Sequence, residues 1–198
     1  LDASISVTED NICIGETTII TFTGSEGTAP YTFTYQINNG TEQTKTTNSN
    51  EATISFNGAT AGNFTYKLIK IEDSSNPIKT ITISEEVTIK VNAPPTVSFS
   101  FDNNVCSGET VRFTNASTGE GTLEYSWDFG DGSTDDDENT SHIFEARGCG
   151  NQNFTVKLTV TDENGCSSST TETITVKEKP DVRFRDEESR LEVFSNCD

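Results

Sequence analysis

The chain has 198 residues, of which 32 are threonine and 5 are leucine, and its formal net charge at pH 7 is −19. Leucine, alanine and methionine are too scarce for a helical bundle, whereas threonine, valine, isoleucine and phenylalanine favour strands, so we predict an all-β protein. The charge disfavours nucleic acid and anionic membrane surfaces as partners, and no apolar run is long enough to insert into a bilayer.

The sequence repeats itself in tandem. Residues 11–17 recur as 104–110, 63–68 recur as 153–158, and 88–91 recur as 173–176. This order predicts a first domain at 1–92, a linker at 93–95, a second domain at 96–177, a linker at 178–180 and the start of a third repeat at 181–198. Prolines in both linkers favour an extended, semi-rigid backbone. Because the chain starts at Leu1 without methionine or a recognisable signal peptide, we expect it to be a piece of a longer protein.

Short alternating segments separated by Gly, Asn, Asp and Ser predict about seven strands in each copy. In the first copy they are placed at 4–8, 17–23, 30–37, 41–47, 51–56, 63–72 and 78–91. In the second copy they are placed at 96–101, 109–115, 123–129, 132–134, 141–145, 153–162 and 168–176. This spacing predicts two tandem immunoglobulin-like β-sandwiches with almost no helix.

The most specific motif is a hexapeptide in the second domain: Trp127, Asp128, Phe129, Gly130, Asp131 and Gly132. Alternation places its two aromatic residues on one face of a strand, and its two glycines suit a tight turn whose amides an aspartate can bind. With Tyr125 before it, 141–144 after it and 154–162 beyond, the motif resembles the PKD domain. The resemblance implies an immunoglobulin-like fold and makes the hexapeptide a structural element.

The first domain lacks the hexapeptide and has Tyr31, Phe33 and Tyr35 on the corresponding strand, so it resembles a divergent PKD-like sandwich. The Cys-x-Gly-Glu-Thr pattern, an Asn-Gly-Cys turn and the acidic, threonine-rich composition resemble tandem repeats of large cell-surface proteins of the Bacteroidota. Those proteins include gliding-motility adhesins and other cargo of type IX secretion. This resemblance implies an extracellular, non-enzymatic and monomeric fragment whose partners are neighbouring repeats, surface glycans or other surface proteins.

Five cysteines, without any Cys-x-x-Cys and with one histidine, favour disulfides in an oxidising compartment over a zinc site. In PKD repeats similar to this one, a cysteine ahead of Gly-Glu accompanies a cysteine in the Asn-Gly-Cys turn. The resemblance therefore implies a Cys106–Cys166 disulfide. Cys149 and Cys197 are proposed as a second pair that ties the third repeat back, and Cys13 is expected to lie outside both pairs.

Any serine–histidine–aspartate arrangement would have to use His142, the single histidine. Its place in the Ser-x-His-x-aromatic pattern of the resembled family implies a structural role, in which it binds a neighbouring turn. Phosphate-binding loops and metalloprotease motifs are absent from the sequence. We therefore predict that the chain is not an enzyme and needs no cofactor.

Calcium is the one metal for which the sequence offers ligands. Asp135, Asp136 and Asp137 begin a run of four acidic residues, and this run reads either as a solvated loop or as a set of oxygen ligands. The resemblance to calcium-binding PKD domains adds Asp162, in the turn after the long strand. The other half of that family site is missing, because residues 117–121 read Ser-Thr-Gly-Glu-Gly.

Two functions fit the sequence. The chain is a passive spacer in a secreted surface adhesin or filament, or it is an accessory module of a secreted enzyme that degrades polysaccharide or protein. The second function requires a planar set of exposed aromatic side chains. The candidates are Tyr31, Phe33, Tyr35, Trp127 and Phe129, whose alternation places them in the core instead.

Overall fold

The computed structural model describes residues 1–147 and 150–178, and within this part every regular element is a strand. The chain divides into two compact units, the first spanning Leu1–Pro94 and the second beginning at Pro95, a boundary inside the predicted linker 93–95. The predicted third repeat, 181–198, lies outside the described residues. No helix long and apolar enough to cross a membrane occurs in the described part.

Unit 1 contains eight strands. They are β1 (Asp2–Val7), β2 (Asn11–Cys13), β3 (Thr17–Ser25), β4 (Tyr31–Ile37), β5 (Gln43–Thr47), β6 (Glu51–Asn57), β7 (Gly62–Glu72) and β8 (Thr80–Asn92). One sheet has the order β1-β3-β6 and the other the order β2-β8-β7-β4-β5. Buried aromatic and aliphatic side chains from both sheets form one core, which includes Phe22, Phe33 and Leu68.

Unit 2 repeats this plan. Its strands are β9 (Phe99–Phe101), β10 (Val105–Cys106), β11 (Thr110–Asn115), β12 (Glu124–Asp128), β13 (Thr134–Asp135), β14 (Thr140–Ile143), β15 (Asn151–Thr161) and β16 (Ser167–Lys177). The sheets have the orders β14-β11-β9 and β10-β16-β15-β12-β13. The predicted fold class, all-β with tandem immunoglobulin-like sandwiches, is confirmed.

The threonine-rich strands owe their sandwich packing to strict alternation. On β15, Phe154, Val156, Leu158 and Val160 are buried, while the residues between them face outward. Side chains on a strand point alternately to opposite faces, so one face enters the core and the other carries hydroxyl groups to solvent. The abundance of threonine follows from this division of each strand.

The structure has one strand more per unit than predicted. Each additional strand is short, β2 or β10, and it pairs in parallel with the last strand of its own unit, β8 or β16. Strands of two or three residues are too short to show an alternating pattern, so the sequence marks these positions only through the repeated motif at 11–17 and 104–110.

The outer edge of the larger sheet differs between the units. In unit 1 the edge strand is β5, whose five residues are all polar and include Lys45. In unit 2 the edge strand is β13, which has two residues. Pairing with an incoming strand is therefore disfavoured at the first edge by polar side chains and a lysine, and at the second edge by its short length.

Candidate functional site

The hexapeptide of unit 2 ends strand β12 and turns the chain. Trp127 and Phe129 are 0% and 1% exposed, and the indole Nε1–H donates to the Asp137 carbonyl at 2.9 Å. Asp128 Oδ1 accepts the Gly130 amide at 2.9 Å. Gly130 has φ +76°, and a Cβ there would lie 2.5 Å from the Thr155 carbonyl oxygen. The motif therefore anchors a tight turn against the neighbouring strand.

His142 binds this turn. Its Nε2 lies 2.8 Å from Asp131 Oδ2, and its ring stacks on Phe129 with a centroid separation of 4.1 Å and an interplanar angle of 7°. Asp131 Oδ1 accepts the Ser133 amide at 2.9 Å. Partial burial raises the pKa of Asp131, but the hydrogen bonds from His142 and Ser133 outweigh it and hold that pKa below its ordinary value. This histidine has the packing of a structural residue.

None of the five aromatic residues that could form a binding platform is exposed. Their exposed fractions are 2% for Tyr31, 0% for Phe33, 6% for Tyr35, 0% for Trp127 and 1% for Phe129. They are core residues in both units. Stacking on a planar sugar or peptide surface needs an open ring face, which these side chains do not present.

Asp135, Asp136 and Asp137 lie close together, with one carboxylate oxygen of each within 4.8 Å of the others. The oxygens of Asp135 already have donors, because Oδ1 accepts the Asp137 amide at 2.9 Å and Oδ2 accepts the Thr140 hydroxyl at 2.8 Å. The bond from the Asp137 amide, followed by that from Thr140, lowers the pKa of Asp135. The cluster is an internally bonded loop with two exposed carboxylates.

Asp162 does not join that cluster. It follows β15 at Thr161, which pairs with Glu124, whereas Asp135 pairs with Trp127 on the far side of β12. Three residues along the strand and two strand spacings separate the two positions by about 14 Å. Because calcium ligands lie about 2.3–2.6 Å from the ion, one ion cannot bind both groups. The acidic run and Asp162 are therefore two separate candidates for calcium ligands.

Asp162 nonetheless has an unusual environment. It is 4% exposed; its Oδ1 accepts the amides of Asn164 and Cys166 at 3.0 and 2.9 Å, and its Oδ2 has no hydrogen-bond donor among the described residues. Its counterpart in unit 1 is Asp73, which accepts bonds on both oxygens. A single open carboxylate oxygen falls far short of the six to eight oxygens that calcium takes.

Cys106 and Cys166 are both disulfide-bonded. Cys106 pairs in register with Lys177, at the end of β16, whereas Cys166 immediately precedes Ser167, at its start. The 11 residues of β16 span about 35 Å, and a disulfide requires Cα atoms about 4.4–6.8 Å apart. The predicted Cys106–Cys166 disulfide is therefore wrong.

Two further predictions concern the remaining cysteines, Cys13, Cys149 and Cys197. Cys13 is disulfide-bonded, so the expectation that it lies outside every pair is also wrong. Cys149 and Cys197, proposed as a second pair, lie outside the described residues. Family resemblance failed to give the partner of Cys106 because the partner depends on which end of a strand each cysteine occupies.

The repeated Cys-x-Gly-Glu motif forms the same turn in both units. The Cys13 amide donates to Glu16 Oε2 at 2.8 Å, and the Cys106 amide donates to Glu109 Oε2 at 3.0 Å. Each glutamate amide returns a bond to the cysteine carbonyl, at 3.0 and 3.1 Å. The glycine between them has positive φ in both units, +91° at Gly15 and +77° at Gly108. The turn begins directly after β2 or β10.

The chain enters and leaves each unit at opposite ends. In unit 1, a Cβ added to Gly27 would approach both Leu1 and Asp73, so the first residue lies beside the turn before β8. The chain then leaves at Asn92, after the 13 residues of β8, which span about 43 Å. We call these the proximal and distal ends. In unit 2, Pro95 likewise lies beside Gly119 near the proximal end, and β16 leads to the distal end.

The second and last strands of each unit are joined directly. In unit 1, β2 pairs in parallel with β8 through Asn11↔Lys90, Ile12↔Val91 and Cys13↔Asn92. In unit 2, β10 pairs in parallel with β16 through Val105↔Val176 and Cys106↔Lys177. We call each pair a terminal clamp. Sequence reasoning missed the clamps, although the repeated motif beside them was the signal that could have located them.

Comparison with known proteins agrees with this description. The family model of the PKD domain matches residues 92–177. A segment of 73 residues is 34% identical to "Collagenase ColA" of Bacillus cereus, which is 37% of this chain and 7% of that protein. The chain thus spans less than a tenth of that collagenase.

Solved structures show the same kind of similarity. The PKD1 domain of Vibrio anguillarum Epp is 32% identical, with 44% of this chain and 98% of that chain covered and a TM-score of 0.37. A Ca²⁺-stabilized adhesin with which an Antarctic bacterium reaches out and binds ice is 15% identical, covering 89% of this chain and 48% of that one, with a TM-score of 0.54. The second likeness concerns the fold alone. The family match, together with the buried hexapeptide, shows that this chain contains a PKD domain over residues 92–177.

Proposed function

We propose that the chain is a non-catalytic spacer in a large secreted adhesin or filament at a cell surface. The observation that carries this proposal is the path of the chain through each unit, from a proximal to a distal end about 35–45 Å apart along the last strand. A domain with its termini at opposite ends adds its own length to an array. The terminal clamp then joins the last strand, which receives tension at the distal end, to the second strand of the same unit.

Composition supports a position outside the cell. Disulfide-bonded cysteines, Cys13, Cys106 and Cys166, suit an oxidising compartment. The net charge of −19 opposes self-association of closely spaced copies. Because the chain is rich in threonine and acidic residues, we further propose that it belongs to a surface protein of the Bacteroidota. Such proteins include gliding-motility adhesins exported by type IX secretion. In this proposal the partners are neighbouring repeats and, through other parts of the protein, surface glycans or proteins.

An accessory module of a secreted degradative enzyme is the second candidate. The observation in its favour is the similarity of a 73-residue segment to a collagenase. Against it stands the burial of the five aromatic side chains that were candidates for a binding platform: Tyr31, Phe33, Tyr35, Trp127 and Phe129. PKD and immunoglobulin-like domains are in general non-catalytic, so neither candidate requires a reaction in this chain.

Co-sedimentation separates the two functions. The 198-residue chain is mixed with fibrous collagen, with cellulose and with chitin, and the fraction that pellets is compared with that of an unrelated β-sandwich of similar size and charge. A spacer stays in the supernatant at the level of the control with all three. Retention on any one of them above the control, lost when that polymer is added in soluble form, would establish the accessory function instead.

A further inference from the structure

The terminal clamps of the two units are built differently. The clamp of unit 1 has three register pairs and that of unit 2 has two. Backbone bonds extend the unit 1 clamp on both sides, because the Lys90 amide donates to the Asp10 carbonyl at 2.7 Å and the Ile14 amide donates to the Asn92 carbonyl at 3.0 Å. In unit 2 the Ser107 amide donates to the Lys177 carbonyl at 2.7 Å.

A buried side chain also crosses the clamp of unit 1. Asn92, 2% exposed, is the last residue of β8, and its Nδ2 donates to Asn11 Oδ1 at 2.6 Å and to the Ile12 carbonyl at 3.2 Å. Both acceptors belong to β2. Lys177 occupies the same register position in unit 2. Its side chain ends in an ammonium group and lacks the planar amide that makes these two bonds in unit 1.

A third link joins the first and last strands of unit 1 farther from the distal end. The Ile5 amide, on β1, donates to Glu85 Oε2, on β8, at 3.3 Å. In unit 2 the side chain next to β10 turns elsewhere, because the Ser107 hydroxyl donates to Glu145 at 3.2 Å and accepts the Ala146 amide at 3.0 Å. Those side-chain bonds hold the end of β10 to the segment after β14 and not to β16.

Tension applied to the two ends of a unit acts on these links together. Parallel strands that are pulled toward opposite ends slide along each other, so every hydrogen bond between them is loaded at once and none can open ahead of the others. The resistance therefore grows with the number of bonds that cross the clamp. Resting on the proposed spacer function, we infer that unit 1 withstands more tension than unit 2 and that Asn92 is a main cause of the difference.

Single-molecule force spectroscopy tests the inference on the whole 198-residue chain, held by handles at both ends and kept in reductant so that disulfides do not contribute. Unit 1 has 94 residues, so its unfolding releases about 34 nm of chain. We expect this release to occur at the higher of the two unfolding forces. The reverse order would overturn the inference.

Reciprocal variants assign the difference to one residue. N92K places the unit 2 residue in unit 1 and should raise the unfolding rate of unit 1 at constant force about tenfold, since two hydrogen bonds are lost. K177N should slow the unfolding of unit 2, because Asn104 and Val105 stand at the positions of Asn11 and Ile12. Unchanged rates in both variants would refute the role of Asn92.

A control separates clamp strength from general stability. I54V, in β6 outside the clamp, should lower the melting temperature of unit 1 without changing its unfolding rate under force. If I54V and N92K change the unfolding rate of unit 1 equally, the rate under force depends only on the overall stability of the unit, and the inference is refuted. Retention on collagen or polysaccharide in the co-sedimentation assay would instead count against the spacer function and leave the order of unfolding forces unaffected.

Discussion

Gly130 offers a sharp test of the turn that closes the hexapeptide. G130A places a Cβ where φ is +76° and where the Thr155 carbonyl oxygen lies 2.5 Å away, on the backbone of the adjacent strand. The left-handed conformation costs a non-glycine residue about 1–2 kcal/mol. Relieving the overlap requires a backbone shift in β15, which adds about as much again or more, so we expect a loss of about 3 kcal/mol.

Gly132 provides the matched control. Its φ is +96°, and a Cβ there meets no atom within 4 Å. G132A therefore carries only the conformational cost, about 1–2 kcal/mol. Both substitutions add the same methyl group two residues apart, so the difference between them isolates the contact with Thr155.

Urea unfolding followed by tryptophan fluorescence measures both variants. Trp127 is the only tryptophan and is fully buried in unit 2, so its emission reports that unit alone. With a slope of about 1 kcal/mol per molar urea for a domain of this size, the midpoint should fall by about 1–2 M in G132A and about 3 M in G130A. Equal midpoints for the two variants would refute the packing argument.

The remaining predictions concern His142, acidity, calcium and the disulfides. H142A loses the stack on Phe129 and the bond to Asp131, and should destabilise unit 2 by about 2 kcal/mol in the same urea assay; an unchanged midpoint would contradict the structural role. The pKa values of Asp131 and Asp135 are lowered in the folded state, so the stability that these groups contribute is present above their unfolded pKa and is lost as pH falls through their folded pKa. Acid titration of unit 2 should therefore show a loss of stability below about pH 4, and D131N should flatten that dependence; a dependence as steep as that of the unmodified chain would contradict it. Millimolar calcium should shift the melting temperature by less than about 2 °C, and a larger shift that EDTA reverses would reveal a site that the aspartates of unit 2 complete. Peptide mapping without reductant should recover no peptide in which Cys106 is joined to Cys166, and recovery of that peptide would contradict the strand register.

Much of the fold could be predicted because local patterns encode it. The alternation of Phe154, Val156 and Leu158 with polar residues fixes the buried face of β15 without any tertiary information. The spacing of Trp127 and Phe129 places both on one face, and the structure buries both. In both cases the two-residue period of a strand determines which side chains are buried.

The features that the sequence did not predict depend on contacts between segments that are distant along the chain. The partner of Cys106 is decided by the end of β16 beside which it lies, and sequence spacing does not encode that position. Likewise, Asp135 lies on β13 and Asp162 directly follows β15 in the same sheet, and only the order of those strands shows that the two residues are far apart. The hydrogen bonds of Asn92 could not be predicted, because their acceptors lie on a strand of three residues.

The edge strands have a consequence for how a repetitive protein folds. Tandem copies of one fold emerge from synthesis next to each other at high local concentration, where an open edge of one copy can pair with a strand of another before either is complete. In unit 1 the five polar residues of β5, with Lys45 at the centre, disfavour such pairing, and in unit 2 the two residues of β13 offer almost no edge. Because β5 has five residues and β13 has two, a strand exchanged between the copies would not match the length of the strand that it replaces. Neighbouring repeats built in this way can fold independently in one chain.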